Sequence, residues 1–163
     1  MDFLDGNVCY YIRIRNSRLF PYMFLGPRDY EYYLRLLKKY KQECTVRVFA
    51  FCLLPDSIHL ILHSTSFPQI DSLMKHVQKA YRQYFCTRYD QGPANCFRHY
   101  KTFCLREDFS LFEYIKALEL KPVHAEIATD PASYPWSSYS CRVLGEANNV
   151  VDKELVLSLQ RDI

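Results

Sequence analysis

Ala50–Leu62 reads AFCLLPDSIHLIL, with Phe49 before it and His63 after it. Two apolar runs meet at Pro55-Asp56. Proline cannot donate to a strand ladder and aspartate favours tight turns, so the stretch predicts a strand–turn–strand. Side chains alternate along a strand. Ser57, His59, Ile61 and His63 therefore share one face of the second strand, and Ile58, Leu60 and Leu62 the other. The apolar face demands a core, which leaves the His59 face as a candidate working surface. A single histidine in a strand is more often structural than a ligand, so the rest of the chain has to decide.

Upstream, Val8–Arg15 (VCYYIRIR) alternates as well. It predicts a strand with Val8, Tyr10, Ile12 and Ile14 on one side and Cys9, Tyr11, Arg13 and Arg15 on the other. Arg13, Arg15 and Arg18 cluster at or just past its end. They serve either as solubilising charge or as phosphate contacts. Arg28–Glu43 follows as a helix opened by Pro27 and an Asp29 cap. Its inward stripe is Tyr30, Tyr33, Leu34, Leu37 and Tyr40, with Arg35, Lys38, Lys39 and Lys41 largely elsewhere. Thr45–Leu54 and Ser57–His63 are the two strands of the central hairpin.

Downstream, Pro68 precedes a helix over about Gln69–Arg88, with Ile70, Leu73, Val77, Ala80, Tyr81 and Tyr84 inward. Lys75, Lys79 and Arg82 fall at i, i+4 and i+7, one cationic stripe. No Asp or Glu occurs from Ser72 to Tyr89, so the stripe repels itself unless an anion such as a phosphate backbone lies opposite. Gln91-Gly92-Pro93 is a turn, and Cys96–Leu105 reads as a fourth strand carrying Lys101. Asp108–Leu120 is the last main helix and ends before Pro122, because a residue ahead of proline is pushed out of helical geometry. A short helix from about Asp152 to Leu159 closes the chain.

The bulk numbers bound the class. A chain of 163 residues is read as one domain, 1–163, able to bury roughly two thirds of the surface its unfolded form exposes. At 49% hydrophobic, with 14 Tyr, 11 Phe and only 4 Gly, the composition is globular and not disordered. A net charge of +3 permits a local nucleic-acid patch without requiring one. Seven cysteines spread over the length do not suggest a disulfide framework, and Cys86, Cys96, His99 and Cys104 lack the close pairs of a zinc module. No apolar run approaches the roughly 20 residues of a membrane span, and MDFLDGN has no signal pattern. The expectation is a cytoplasmic protein. The element order predicts an α+β sandwich, a mainly antiparallel four-stranded sheet with helices packed on it.

These elements and motifs resemble the single-tyrosine HUH transposases, in particular the REP-associated tyrosine transposases. The family's hairpin carries Met/Leu-Pro-Asn-His-hydrophobe-His-Leu-Leu, matched here by Leu54-Pro55-Asp56-Ser57-Ile58-His59-Leu60-Ile61. Tyr10-Tyr11-Ile12-x-x-Arg15 is similar to the first-strand pattern Tyr-His-Val-x-x-Arg. His99-Tyr100-Lys101 falls where the family has Arg-Tyr/Phe-Lys. Tyr134-Pro135-Trp136-Ser137-Ser138-Tyr139 matches the C-terminal signature residue for residue, in a role expected to be structural packing. The resemblance covers about 10–145, leaving 146–163 as a C-terminal helical tail, and it implies a ferredoxin-like fold.

It also implies a chemistry, and a departure from it. In the family two histidines and a helix residue hold a divalent metal, and a helix tyrosine attacks a DNA phosphodiester. The helix motif Tyr-Ile-x-x-Asn-Pro-Val-Arg/Lys-Ala, aligned through Pro122, Val123 and Ala125, puts Ala117 at the nucleophile position and Lys121 at that of the Asn. Ser57 stands at the first metal histidine, and His59 keeps the second. Alanine has no nucleophilic atom, and one imidazole cannot hold Mg²⁺, which prefers oxygen ligands. His63 lies ~13 Å along the strand from His59 and does not replace the missing ligand.

The expected function is therefore transposase-type binding of single-stranded or hairpin DNA without family-type cleavage and without a cofactor. Arg13, Arg15, Arg18, Lys75, Lys79, Arg82 and Lys101 are the candidate DNA contacts, exposed tyrosines stack on unpaired bases, and the protein is a monomer or homodimer. The alternative is an active nuclease with Tyr114 as a displaced nucleophile and Mg²⁺ or Mn²⁺ at His59. A third reading is an RNA-binding or protein-interaction remnant.

Overall fold

The computed structural model describes residues 8–16, 20–90, 99–105, 111–154 and 156. The elements are β1 (Val8–Arg15), α1 (Pro27–Glu43), β2 (Arg47–Leu54), β3 (Ser57–Ser64), α2 (Phe67–Tyr89), β4 (Tyr100–Cys104), α3 (Leu111–Glu119), α4 (Lys121–His124), a 3₁₀ turn (Pro131–Ser133) and α5 (Tyr139–Val143). The four strands form one antiparallel sheet in the order β2-β3-β1-β4. A β-α-β-β-α-β chain in that order is the split arrangement the sequence predicts.

The hairpin turns at Pro55-Asp56, with Leu54 opposite Ser57. Ile12, Ile14, Leu53, Ile58, Leu60 and Leu62 form one sheet face, buried under α1 and α2. Tyr33, Leu37, Leu73, Val77 and Tyr81 supply the helical side of that core. Pro27 and Pro68 sit inside the first turns of α1 and α2, not ahead of them, because a first-turn N–H needs no partner. Asp29 is not the cap itself. It lies inside the first turn, and its carboxylate accepts from the backbone N–H groups of Leu25 and Gly26. Lys41, grouped with the cations largely off the inward stripe, is buried: its ammonium donates to the Val150 carbonyl at 2.7 Å and pairs with Asp152 at 3.0 Å.

The second sheet face corrects an expectation. His59 does not line an open surface; it is 2% exposed, and Ser57 and Ile61 are equally hidden. Phe49, Ala50, Cys52, Leu54 and Ile61 form a second core with Ile115 and Leu118 of α3 and Tyr134. A one-residue slip in the β2–β3 register between Val48 and Ala50 turns both Phe49 and Ala50 to this side. α3 stops at Glu119, before Pro122, as predicted.

The Tyr134–Tyr139 segment closes the outer edge of β2. Leu53 N–H donates to the Trp136 carbonyl, Ser138 N–H to the Phe51 carbonyl and Tyr134 hydroxyl to the Leu53 carbonyl. Trp136 stacks on Tyr30 with ring centres 4.7 Å apart. An unpaired edge is a template for stray strands, and this segment occupies it. Arg18, Gln91-Gly92-Pro93, the first residues of both the predicted fourth strand and the predicted last helix, and half of the predicted C-terminal helix lie outside the described residues.

Candidate nucleic-acid interface

β1 and β3 are neighbours at the centre of the sheet, and their register decides what surrounds His59. Arg13 is directly opposite it on β1 and Cys52 directly opposite it on β2. Lys101 of β4 is opposite Arg13. One row of the second face thus runs Cys52, His59, Arg13, Lys101. The row nearer the hairpin turn runs Leu54, Ser57, Arg15, and the row beyond His59 runs Ala50, Ile61, Tyr11, Phe103. α3 covers the β2–β3 half. On the β1–β4 half Arg15, Lys101 and Phe103 are exposed, and Tyr11 and Arg13 are half-buried.

Tyr11 reaches diagonally onto the histidine, its hydroxyl oxygen 2.6 Å from His59 Nδ1. The other ring nitrogen, Nε2, is 3.1 Å from Ser57 Oγ, and Ser57 donates to Asp56 Oδ1 at 2.9 Å. An ionised carboxylate only accepts, so the serine proton points at Asp56 and Ser57 Oγ accepts from His59 Nε2–H. That leaves Nδ1 as the acceptor for the phenol. The chain Tyr11–His59–Ser57–Asp56 is complete with a neutral imidazole. Burial, with Lys121, Arg15 and Arg13 adding to it, pushes the His59 pKa down to about 3. Burial likewise raises the Tyr11 phenol against the opposing pull of Arg13 and Arg15.

Lys121 enters from the start of α4, where Pro122 ends the longer helix and turns the chain. Its ammonium lies 6.0 Å from the centre of the Tyr11 ring, and the Arg13 guanidinium 5.7 Å from that of Phe103. Half-burial lowers the Lys121 pKa, and Arg13 and Arg15 lower it further. Among the described residues no carboxylate lies within ion-pair distance of Arg13, Arg15, Lys101 or Lys121. Asp56 and Glu119 already hold other partners among the described residues. Asp56 accepts from Ser57, and buried Glu119 is held by Arg142 and Ser138.

A divalent ion does not fit this donor set. Both His59 nitrogens are committed to hydrogen bonds, and a 2.6 Å phenol–imidazole contact leaves no space for an ion between them. The adjacent charges are cations, which repel one. His63 is away from the site, stacked on Phe49 with ring centres 5.1 Å apart. Among the described residues no group of three or more His, Cys, Asp or Glu could hold a metal.

The structure divides the candidate DNA contacts. Arg13, Arg15 and Lys101 gather on the second sheet face, with Lys121 above them. Lys75, Lys79 and Arg82 ride on α2, on the other side of the sheet. Lys75 pairs with Asp71 at 2.6 Å, an acid one residue before the acid-free run, so the stripe is partly neutralised. Ala117 is exposed one turn before Lys121, and Tyr114 packs at the edge of the second core. The phenol that meets His59 is Tyr11. The signal for it was available in the alternation that puts Tyr11 and Arg13 on one face, but the cross-strand register was not.

No protein-family profile and no curated protein matches the chain. Among solved structures, a REP-associated tyrosine transposase bound to a REP hairpin superposes with a TM-score of 0.63 at 16% identity, over 93% of this chain and 92% of that one. A protein described as a candidate transposase from Deinococcus radiodurans R1 aligns with a TM-score of 0.49 at 15% identity, over 69% of this chain and 91% of that one. The chain has the transposase fold. No helix among the described residues is long and apolar enough to cross a membrane.

Proposed function

We propose that this protein binds DNA, as a single strand or hairpin, on the half-open sheet face, and does not cut it by a metal-dependent tyrosine mechanism. The observation that carries the reading is the set of four cations, Arg13, Arg15, Lys101 and Lys121, without an acidic partner among the described residues. Such a set is stabilised by an anion, and a phosphate backbone supplies a row of them. Tyr11 and Phe103 on the same face offer ring surface to unpaired bases. The hairpin held by the structural neighbour supports the substrate class. Against cleavage stand Ala117, which has no nucleophile, and His59, whose nitrogens are both occupied.

The test is binding of a fluorescent DNA hairpin across a salt series, followed by a denaturing gel. The expected result is salt-sensitive binding and no protein–DNA band that survives boiling. A surviving band in Mg²⁺ or Mn²⁺ that disappears in Tyr114→Phe would overturn the reading and establish the displaced-nucleophile alternative.

A further inference from the structure

We propose that Lys121, Arg13 and Arg15 together form a binding site for one phosphate group that needs no divalent metal. The inference rests on the DNA-binding reading for its natural ligand, but its geometry stands apart. Arg13 and Arg15 rise from alternate positions of β1, and Lys121 comes from the start of α4, so two elements bring three cations over one patch of sheet. Packing places two of them, Arg13 against Phe103 and Lys121 over Tyr11. Lys121 is half-buried, so part of its hydration is lost with no carboxylate in return among the described residues. A tetrahedral oxyanion answers all three charges. Guanidinium forks match phosphate oxygens in pairs, and an ammonium serves as a compact point charge.

Beneath the patch both ring nitrogens of His59 are engaged in the Tyr11–His59–Ser57–Asp56 chain, so the imidazole has no free lone pair to offer a metal. The charge that a dissociable ion would bring is here a covalent part of the chain. It follows that chelators leave phosphate binding intact. The ligand is a nucleic-acid phosphodiester or free phosphate, and the experiment separates the two.

The hairpin titration is run in EDTA and in Mg²⁺, with the wild type, Lys121→Ala and Lys121→Arg, each checked for an unchanged melting curve. Equal wild-type affinity in both buffers is expected. Lys121→Ala is expected to lose affinity several-fold and to lower the salt slope by about one, and Lys121→Arg to restore most of it. A requirement for Mg²⁺, or indifference to Lys121→Ala, overturns this site while leaving DNA binding standing.

If the hairpin does not bind at all, the wider reading falls and inorganic phosphate decides this one. Phosphate is then titrated in EDTA while the His59 ring resonances are followed by NMR. A saturable shift that is lost in Lys121→Ala upholds the site for free phosphate, and no shift overturns it.

Discussion

His59 was visible in the sequence as the histidine of the central hairpin, and strand alternation placed it on the correct face. Its burial and its partners were not visible, because they depend on a strand 48 residues away that brings the Tyr11 hydroxyl to Nδ1. The neutral imidazole makes stability pH-dependent. In the unfolded chain the group protonates near 6.5, and in the fold near 3. Between those values the unfolded state binds the extra proton, so stability falls as pH drops, by up to about 1.4 kcal/mol per pH unit. Urea melts at pH 7 and 5.5, above most carboxylate titration, are expected to show this loss in the wild type and a smaller one in His59→Gln. Equal losses would contradict it. Tyr11→Phe strands a buried nitrogen and is expected to cost about 1–3 kcal/mol in the same assay. In contrast, the Tyr33 hydroxyl is buried with no hydrogen-bond partner among the described residues, so Tyr33→Phe is expected to leave stability unchanged or raise it by up to about 1 kcal/mol.

At the scale of elements, the strands and main helices were legible to within a few residues, because alternation, helical spacing and proline are local signals. What the elements do to one another was less so. The Tyr134–Tyr139 signature announced a structural segment, but only the fold shows it lying along β2. Lys41 follows Leu37 by four residues and so shares its face of the helix, but nothing near it in sequence betrays Asp152. Buried Glu119 at the end of α3 is a further case: Arg142 of α5 donates to both its carboxylate oxygens, and Ser138 donates to one. Removing one partner of a buried pair leaves an uncompensated charge. Arg142→Ala is expected to cost about 3 kcal/mol in chemical denaturation, and Arg142→Lys less. A cost under about 1 kcal/mol would show that Glu119 takes up a proton or finds water.

For the whole molecule, the order of strands and helices gave the architecture, while the sorting of charges between its two sides was hidden. Sequence spacing put Lys75, Lys79 and Arg82 in one class with Arg13, Arg15 and Lys101. The sheet stands between the two groups, so they cannot grip the same few phosphates. Arg13→Ala/Arg15→Ala is expected to weaken hairpin binding far more than Lys79→Ala/Arg82→Ala, which removes the same formal charge. Equal weakening would mean that DNA wraps both sides or that only net charge matters.

The strand that carries Tyr11, Arg13 and Arg15 also has the most patient role in assembly. Its neighbours are β3 and β4, and the last of its partners, opposite Tyr10, is Cys104. A chain emerging from the ribosome therefore exhibits this sticky, aromatic ribbon long before either flank has been synthesised. Loop closure over such spans is slow, and unpaired ribbons invite association in the interval. β1 is made before either strand that flanks it, and its pairing is complete only once β4 is in place.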